Sequence, residues 1–238
     1  MEIAPGIRRL GSGMVNAYLL EEAGSVTIID AGVAGYWGDL APELTAMGRA
    51  IEDVRAVLLT HAHSDHIGFA ERIRTERGVR VSVHELDAAL ARGEIKPTNE
   101  GGPVRPIPLL RFLLYGLRKR GLSTTHIGEV STFGDGSTLD VPGAPRVIHV
   151  PGHTAGSAAL HVASRDTIFV GDAFVTLNVM SGTTGPQLFP NFSADNAQAF
   201  ASLARLDGVE AGLVLPGHGQ TWRGGLPEAL RIVRASPP

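Results

Sequence analysis

The chain has 238 residues, of which 43% are hydrophobic and 19% charged, as in a globular protein with a substantial apolar core. Its formal charge of −3, from 24 acidic and 21 basic residues, gives no overall positive field, so nucleic acid is not an expected partner. The absence of cysteine excludes disulfides, thiolate metal sites and a cysteine nucleophile, and leaves histidine and carboxylate side chains to bind any metal.

The amino-terminal segment lacks the apolar region of a secretory signal. Glu2, Arg8 and Arg9 occur before any long apolar stretch, so a cytoplasmic location is expected. The most apolar segment, residues 109–117, is interrupted by Arg111 and is too short to cross a bilayer. No membrane span is therefore predicted.

The first part of the chain predicts short strands and one strand–helix–strand unit. The predicted strands are residues 17–20, 26–29, 54–59 and 79–83. A turn at Gly24 and Ser25 joins the first two as a hairpin. Between the last two, apolar residues recur at helical spacing until Gly78, which predicts a helix that ends there.

A change in composition at about 94–125 indicates an insertion. Several prolines and glycines precede an apolar segment that ends in Arg118, Lys119 and Arg120. We expect residues 1–238 to form a single domain that carries this helical or loop insertion.

The second half predicts further strands and two helices. The strands are residues 146–150, 158–162, 167–170 and 212–215. A Gly- and Pro-rich loop covers 176–192, and Ser193 is predicted to cap a helix that ends at Gly208. A last short helix is predicted at 227–233.

The most specific local signal is a run of histidines in which residues 61–66 hold three imidazoles and one carboxylate. In an extended loop, residues two apart face the same way, so His61 and His63 can share one metal. Asp65 and His66 can then turn toward another metal. The full run predicts a metal site, whereas a single His-x-His would not.

Four predicted strands each lead into a candidate ligand that directly follows threonine or glycine. These are Leu59-Thr60-His61, Pro151-Gly152-His153, Val170-Gly171-Asp172 and Pro216-Gly217-His218. One isolated Gly-His is more often an ordinary turn, but four such strand ends together predict that one edge of the sheets collects every ligand.

The pattern His-x-His-x-Asp-His, followed by Gly-His, Gly-Asp and Gly-His, resembles the metallo-β-lactamase fold superfamily over most of the chain. The resemblance implies an α+β fold, a four-layer αββα sandwich of two similar halves with the site at one edge. It also implies a first metal on His61, His63 and His153, and a second on Asp65, His66 and His218, with Asp172 bridging them. Asp30 matches an acidic position that supports the ligands in this family, although a simple turn residue is an equal alternative.

A hydrolase follows from this resemblance. Two divalent metal ions, with Zn²⁺ expected and Mn²⁺ or Fe²⁺ as alternatives, would hold a bridging hydroxide that attacks a small-molecule ester, lactone or thioester. Asp65 or a metal-bound water is the candidate acid for the leaving group.

Several residues of this chain differ from those of individual branches of the superfamily, and each difference makes the activity of that branch less expected. His63 replaces the glutamate of the flavin-linked di-iron oxygen reductases. The absence of cysteine and the presence of Asp172 differ from true β-lactamases. Only a short tail follows His218, unlike the glutathione-binding tail of glyoxalase II relatives. Acyl-homoserine lactonases share all seven ligands but place a tyrosine after the bridging acid, where this chain has Phe174 and Val175. Tyr115 is a candidate substitute for that tyrosine.

The insertion is the best indicator of substrate. Its apolar side chains predict either a lid that favours an apolar acyl group or an ordinary packed helix or homodimer contact; they are Leu109, Leu110, Phe112, Leu113, Leu114 and Leu117. Other activities also stay open: a mono-iron redox enzyme of the persulfide dioxygenase type, a phosphodiesterase or nuclease of the same fold, and metal binding without catalysis.

Overall fold

The computed structural model describes residues 1–121 and 125–236. The first sheet has seven strands whose spatial order follows their chain order. They are β1 (Glu2–Ala4), β2 (Ile7–Gly11), β3 (Asn16–Glu22), β4 (Ser25–Ile29), β5 (Val54–Leu58), β6 (Arg80–His84) and β7 (Ser131–Phe133). Strands β1 to β4 pair antiparallel, and β4 to β7 pair parallel. The parallel strands therefore end at the same edge.

The second half of the chain forms a four-stranded sheet and a hairpin. The strands are β8 (Arg146–His149), β9 (Ala158–Val162), β10 (Thr167–Gly171), β11 (Val175–Leu177), β12 (Thr184–Gln187) and β13 (Leu213–Pro216). The sheet order is β13-β10-β9-β8, and β11 pairs with β12. Since β9 is antiparallel to both β8 and β10, and β10 is parallel to β13, the strands β8, β10 and β13 all run in one direction.

Six α-helices accompany the sheets within the described ranges. They are α1 (Trp37–Ala46), α2 (Ala70–Arg77), α3 (Ala88–Ala91), α4 (Pro106–Arg118), α5 (Asn196–Ser202) and α6 (Leu226–Arg234). Helix α2 ends at Gly78, which has φ of 66°, a left-handed conformation that glycine adopts without strain. None of the described helices is long and apolar enough to cross a membrane.

Three apolar cores define four layers. Between the two sheets, Tyr18 and Leu58 of the first pack with Phe169 and Leu215 of the second. On the outer side of the first sheet, α1, α2 and α3 bury side chains such as Leu40 against it. On the outer side of the second sheet, α5 and α6 do the same. The order helix, sheet, sheet, helix confirms the predicted αββα sandwich.

The structure corrects three local predictions. Ser193 does not cap the following helix, because the Asp195 side chain accepts the hydrogen bond from Gln198 N and α5 begins at Asn196. The predicted loop at 176–192 contains the β11–β12 hairpin. Helix α1, which contains Pro42, was not predicted.

Candidate metal centre

Strand ends from both sheets converge at one edge of the sandwich. In the first sheet, Asp30 follows β4 and His61 lies three residues beyond β5. In the second sheet, His153, Asp172 and His218 follow the three strands that run in the same direction. The carboxyl ends of such strands are where α/β proteins place their ligands, because loops there are held by a rigid sheet.

A single carboxylate oxygen lies at the centre of the cluster. Asp172 Oδ2 is 3.2 Å from Nε2 of His218 and 3.4 Å from Nε2 of His153. It is also 3.7 Å from Nε2 of His66 and 3.9 Å from Nε2 of His61. Four imidazoles therefore point their Nε2 atoms toward one buried acid.

The seven predicted ligands form three overlapping groups, in each of which one nitrogen or oxygen per residue lies within 4.8 Å of the others. The groups are His61, His63 and His153; His61, His66 and Asp172; and Asp65, His66 and His218. In the first group, Nδ1 of His63 is 2.9 Å from Nε2 of His153. Nitrogens at this distance share a hydrogen bond, and both are close enough to bind one ion when neither carries the proton.

Hydrogen bonds behind the rings fix which nitrogen faces inward. Asp30 Oδ2 lies 2.9 Å from Nδ1 of His66 and accepts a hydrogen bond from Thr60 Oγ1 at 2.8 Å. Since the threonine proton goes to Asp30, Thr60 Oγ1 accepts from Nδ1 of His61, 3.1 Å away. In their neutral form both rings therefore carry the proton on Nδ1 and present the Nε2 lone pair to the centre, as a metal ligand must. Asp30 is a supporting residue, as the resemblance implies.

The other two Nε2-facing histidines are oriented in the same way. His153 Nδ1 donates to Ser193 Oγ at 3.2 Å, because that hydroxyl gives its own proton to the Phe189 carbonyl. His218 Nδ1 donates to the carbonyl of Met14. Each of the four rings, when neutral, thus has its Nε2 lone pair free to bind a metal ion.

The chemistry of these atoms fits metal ions. His61 Nε2, His66 Nε2 and Asp172 Oδ1 are buried and have no hydrogen-bond partner among the described residues. Leaving buried polar atoms unpaired is costly, and a cation shared among them would satisfy all three.

Burial and charge together set the titration of the cluster. Burial, reinforced by neighbouring imidazoles, holds the pKa of His61 and of His153 well below the usual histidine value. These two rings are therefore neutral and can bind a metal ion through a nitrogen lone pair. Burial also lowers the pKa of His66, but Asp30 and Asp172 outweigh it and raise that pKa to about 10. Burial acts to raise the pKa of Asp172, yet the imidazoles around it hold that pKa well below its usual value. Asp30 and Asp172 therefore favour positive charge at the centre of the cluster, whether it is a proton on His66 or a bound cation.

The sequence matches the model of the metallo-beta-lactamase superfamily over residues 10–218. The chain belongs to that superfamily. The uncharacterized protein YobT of Bacillus subtilis is 30% identical over 216 residues, which cover 88% of this chain and 84% of YobT. The probable metallo-hydrolase YflN of the same organism is 26% identical over 235 residues, covering 92% of this chain and 85% of YflN.

Solved structures of the superfamily align over nearly the whole chain. The metallo-beta-lactamase family protein TTHA1429 of Thermus thermophilus has a TM-score of 0.70 and 26% identity, covering 98% of this chain and 79% of TTHA1429. TTHA1623, solved in a di-iron-bound form, has a TM-score of 0.61 and 27% identity, covering 93% of this chain and 94% of TTHA1623.

Glycines directly before Asp172 and His218 allow the backbone to lie against other side chains of the cluster. A Cβ at Gly217 would overlap Asp172 Oδ1 and lie 2.6 Å from Cε1 of His66. At Gly171, where φ is 52°, a Cβ would overlap the Thr60 hydroxyl. The Gly-His and Gly-Asp pairs seen in the sequence thus have a steric cause.

Sequence reasoning missed Asp87, a buried acid that connects two ligand-bearing loops. Its Oδ2 accepts hydrogen bonds from Ala62 N at 2.9 Å and Thr154 Oγ1 at 2.8 Å, and its Oδ1 accepts one from Gly156 N at 2.7 Å. Ala62 lies between the first two histidines, and Thr154 directly follows His153. An acid at the end of a predicted strand was the available signal, because ligands and their supports gather at that edge.

A cavity of about 420 Å³ opens onto the cluster and is lined by His63, Asp65, Asp172 and His218. Its remaining wall is largely apolar and includes Val15, Val33, Phe112, Leu113, Phe189 and Phe192. Of the apolar side chains of α4 predicted as a lid, Phe112 and Leu113 line this cavity. Leu110, Leu114 and Leu117 are exposed and do not line the cavity, so the lid alternative is wrong for these three, and the homodimer contact stays a prediction.

The Tyr115 hydroxyl is committed to a hydrogen bond with Tyr36. Tyr36 donates its own proton to the Val15 carbonyl at 2.6 Å, so in the Tyr36–Tyr115 pair the proton comes from Tyr115. Tyr115 lines the cavity but does not have a proton directed at a substrate there. Phe174, at the position of the lactonase tyrosine, is fully buried in the outer core of the second sheet.

Proposed function

We propose that this protein is a two-metal hydrolase that cleaves a small-molecule ester, lactone or thioester with an apolar acyl group. The observation that carries the proposal is the position of Asp172 Oδ2, within 3.9 Å of the Nε2 atoms of four histidines. Two cations held a few ångströms apart repel each other, and a shared carboxylate between them offsets that repulsion.

In this proposal the ligands divide as the resemblance to the superfamily implies. His61, His63 and His153 hold one ion, and Asp65, His66 and His218 hold the other, with Asp172 between them. Imidazole and carboxylate donors suit Zn²⁺, our first choice, but also Mn²⁺ and Fe²⁺. Because TTHA1623 is described in a di-iron-bound form, iron is included in the test.

When bound, the metal pair supplies a nucleophile at neutral pH and polarises the scissile carbonyl. The chain itself must pass the proton that the attacking water gives up to the leaving group, since a carboxylate that binds metal has no proton of its own to donate. Asp65 is the candidate: its side chain is 24% exposed, lines the cavity, and places Oδ2 at 3.4 Å from His218 Nε2. Tyr115 is not assigned a role in polarising the carbonyl, because its proton is given to Tyr36.

The cavity wall supports the substrate class. Phe112, Phe189 and Phe192 present aromatic faces beside the cluster, and such surface binds an acyl chain by excluding water. A phosphodiester would instead need cations inside the site to bind its phosphate, and no Lys or Arg side chain is among the described residues that line this cavity. A nuclease is therefore the weaker alternative.

The experiment is metal-dependent turnover by the purified protein. Samples reconstituted with zinc, manganese or iron are assayed on esters, lactones, thioesters, phosphodiesters and β-lactams. Asp172→Ala is compared with Asp140→Ala, an exposed acid away from the cluster. We expect hydrolysis of an acyl substrate that is lost in Asp172→Ala and kept in Asp140→Ala. Oxygen consumption with a persulfide in the iron form, without hydrolysis of any substrate, would instead favour the mono-iron redox alternative.

A further inference from the structure

The outer face of α4 is an exposed apolar surface. Seven of the nine exposed large hydrophobic side chains among the described residues lie within 94–125, the other two being Met1 and Leu86. Five of the seven lie on α4 and are 42% to 67% exposed: Ile107, Leu110, Leu113, Leu114 and Leu117. At 100° per residue these five fall within one sector of the helix, so they form a continuous stripe, here called the α4 face. A stripe of this kind on a folded protein indicates a binding surface.

The opposite side of α4 is fixed to the body of the protein. Lys119 Nζ is 2.7 Å from Asp39 Oδ2, and Gly35 N donates to the Lys119 carbonyl at 2.9 Å. Tyr115 is bonded to Tyr36, and Phe112 lines the cavity. The helix therefore presents its apolar stripe outward in a defined orientation.

The chain segment that carries the α4 face contains basic residues and no acidic ones. Residues 101–128 contain four arginines and one lysine and no aspartate or glutamate, in a chain whose net charge is −3. Arg111 and Arg118 follow the stripe along one margin of the helix, one residue after Leu110 and Leu117. Arg105, Arg111, Arg118 and Arg120 are exposed and make no ion pair with any described residue. Arginines at this margin can keep their charge in a polar layer while the leucines enter an apolar one.

We propose that the α4 face binds the surface of a membrane that contains anionic lipids. An amphipathic helix with exposed leucines and marginal arginines lies in the interfacial plane of such a bilayer, where both parts are satisfied at once. A second copy of the chain is a poorer occupant, because a two-fold contact between antiparallel α4 helices would bring Arg111 and Arg118 of both copies to one side, with no acid in residues 101–128 to pair them.

Membrane binding through the α4 face would place the opening of the cavity beside the lipid surface. Leu113 belongs to the stripe and also lines the cavity, so the membrane-bound face lies directly beside the opening. An amphiphilic acyl substrate would then reach the cavity from the lipid surface. Membrane binding itself does not depend on the proposed hydrolase activity.

The test is flotation of the intact protein with vesicles, which needs no turnover. Vesicles of phosphatidylcholine with about 30% phosphatidylglycerol are compared with phosphatidylcholine alone, at low salt and at about 0.5 M salt. Arg111→Gln/Arg118→Gln is expected to weaken binding by about 30-fold, since each cation near an anionic surface is worth roughly fivefold. Leu110→Gln/Leu114→Gln is expected to weaken it by at least about tenfold.

The control is Leu86→Gln, because Leu86 is 52% exposed but lies off α4. It should bind vesicles like the wild type, and circular dichroism should show every variant folded, since the changed side chains are exposed. Absence of binding to anionic vesicles, or binding that neither double variant weakens, would overturn the proposal. Concentration-dependent dimerisation that Leu110→Gln/Leu114→Gln abolishes, without vesicle binding, would overturn it in favour of a second copy.

Discussion

Replacing Asp87 tests how the loops that carry the first group of ligands are held together. Its carboxylate accepts hydrogen bonds from Ala62 N, Gly156 N and Thr154 Oγ1, at 2.7 to 2.9 Å. In Asp87→Ala the two backbone N–H groups lose their acceptor, at about 1–3 kcal/mol each in a buried site. The Thr154 hydroxyl loses less, because it also lies 2.8 Å from Ser157 Oγ. We therefore expect the free energy of unfolding to fall by about 3–4 kcal/mol.

The assay is urea unfolding of metal-free protein, together with metal affinity by competition with a chelating dye. Asp87→Asn keeps one acceptor oxygen and should be destabilised by less, about 1–2 kcal/mol. Asp53→Ala is the matched control, since its carboxylate accepts from one exposed N–H, that of Ala50, and its loss should cost about 1 kcal/mol or less. Because Ala62 and Thr154 adjoin metal-binding histidines, affinity in Asp87→Ala should also fall by about 10- to 100-fold.

Two results would refute this reasoning. If Asp87→Ala is no less stable than Asp53→Ala, the three hydrogen bonds do not hold the loops. If it is destabilised but binds metal as tightly as the wild type, Asp87 supports the fold and has no part in positioning the ligands.

Three further predictions concern the cluster, a pH effect and the cavity. Gly217→Ala should abolish tight metal binding, measured by equilibrium dialysis, because its Cβ would overlap Asp172 Oδ1; normal binding would contradict the close approach. Burial and a stacked imidazole lower the pKa of His84, so the folded chain takes up its proton less readily than the unfolded chain. The contribution of His84 to the free energy of unfolding is then present above about pH 6.5 and is lost as the pH falls. In urea unfolding, the stability advantage of the wild type over His84→Gln should therefore be smaller at pH 5 than at pH 8. Phe112→Ala should lower kcat/KM for long acyl substrates by about tenfold and leave acetyl substrates nearly unchanged, and an equal loss for both would exclude its role in acyl binding.

The site was more predictable than several of the elements that surround it. His61, His153 and His218 each follow an apolar strand and a threonine or glycine, so sequence spacing alone predicts that they meet at one edge of the sheets. Their supports depend on contacts distant in sequence. Asp87 meets Thr154 and Gly156 across 67 and 69 residues, and no local pattern encodes that meeting.

The wrong predictions also have physical causes. Ser193 and Asp195 are both good caps, and local sequence does not reveal that the Ser193 hydroxyl is already engaged between Phe189 and His153. The apolar side chains of residues 109–117 predict a lid, a packed helix or a homodimer contact, but which of them pack depends on the body of the protein. The cavity receives Phe112, whereas Leu110 and Leu114 are left exposed.

The central claim is that Asp172 holds two metal ions together, and metal stoichiometry tests it most directly. Metal per chain is measured by mass spectrometry after dialysis for the wild type, Asp172→Ala and the control Asp140→Ala. We expect two ions per chain in the wild type and in Asp140→Ala, and one or none in Asp172→Ala. Two tightly held ions in Asp172→Ala, or a single ion in a fully active wild type, would contradict the claim.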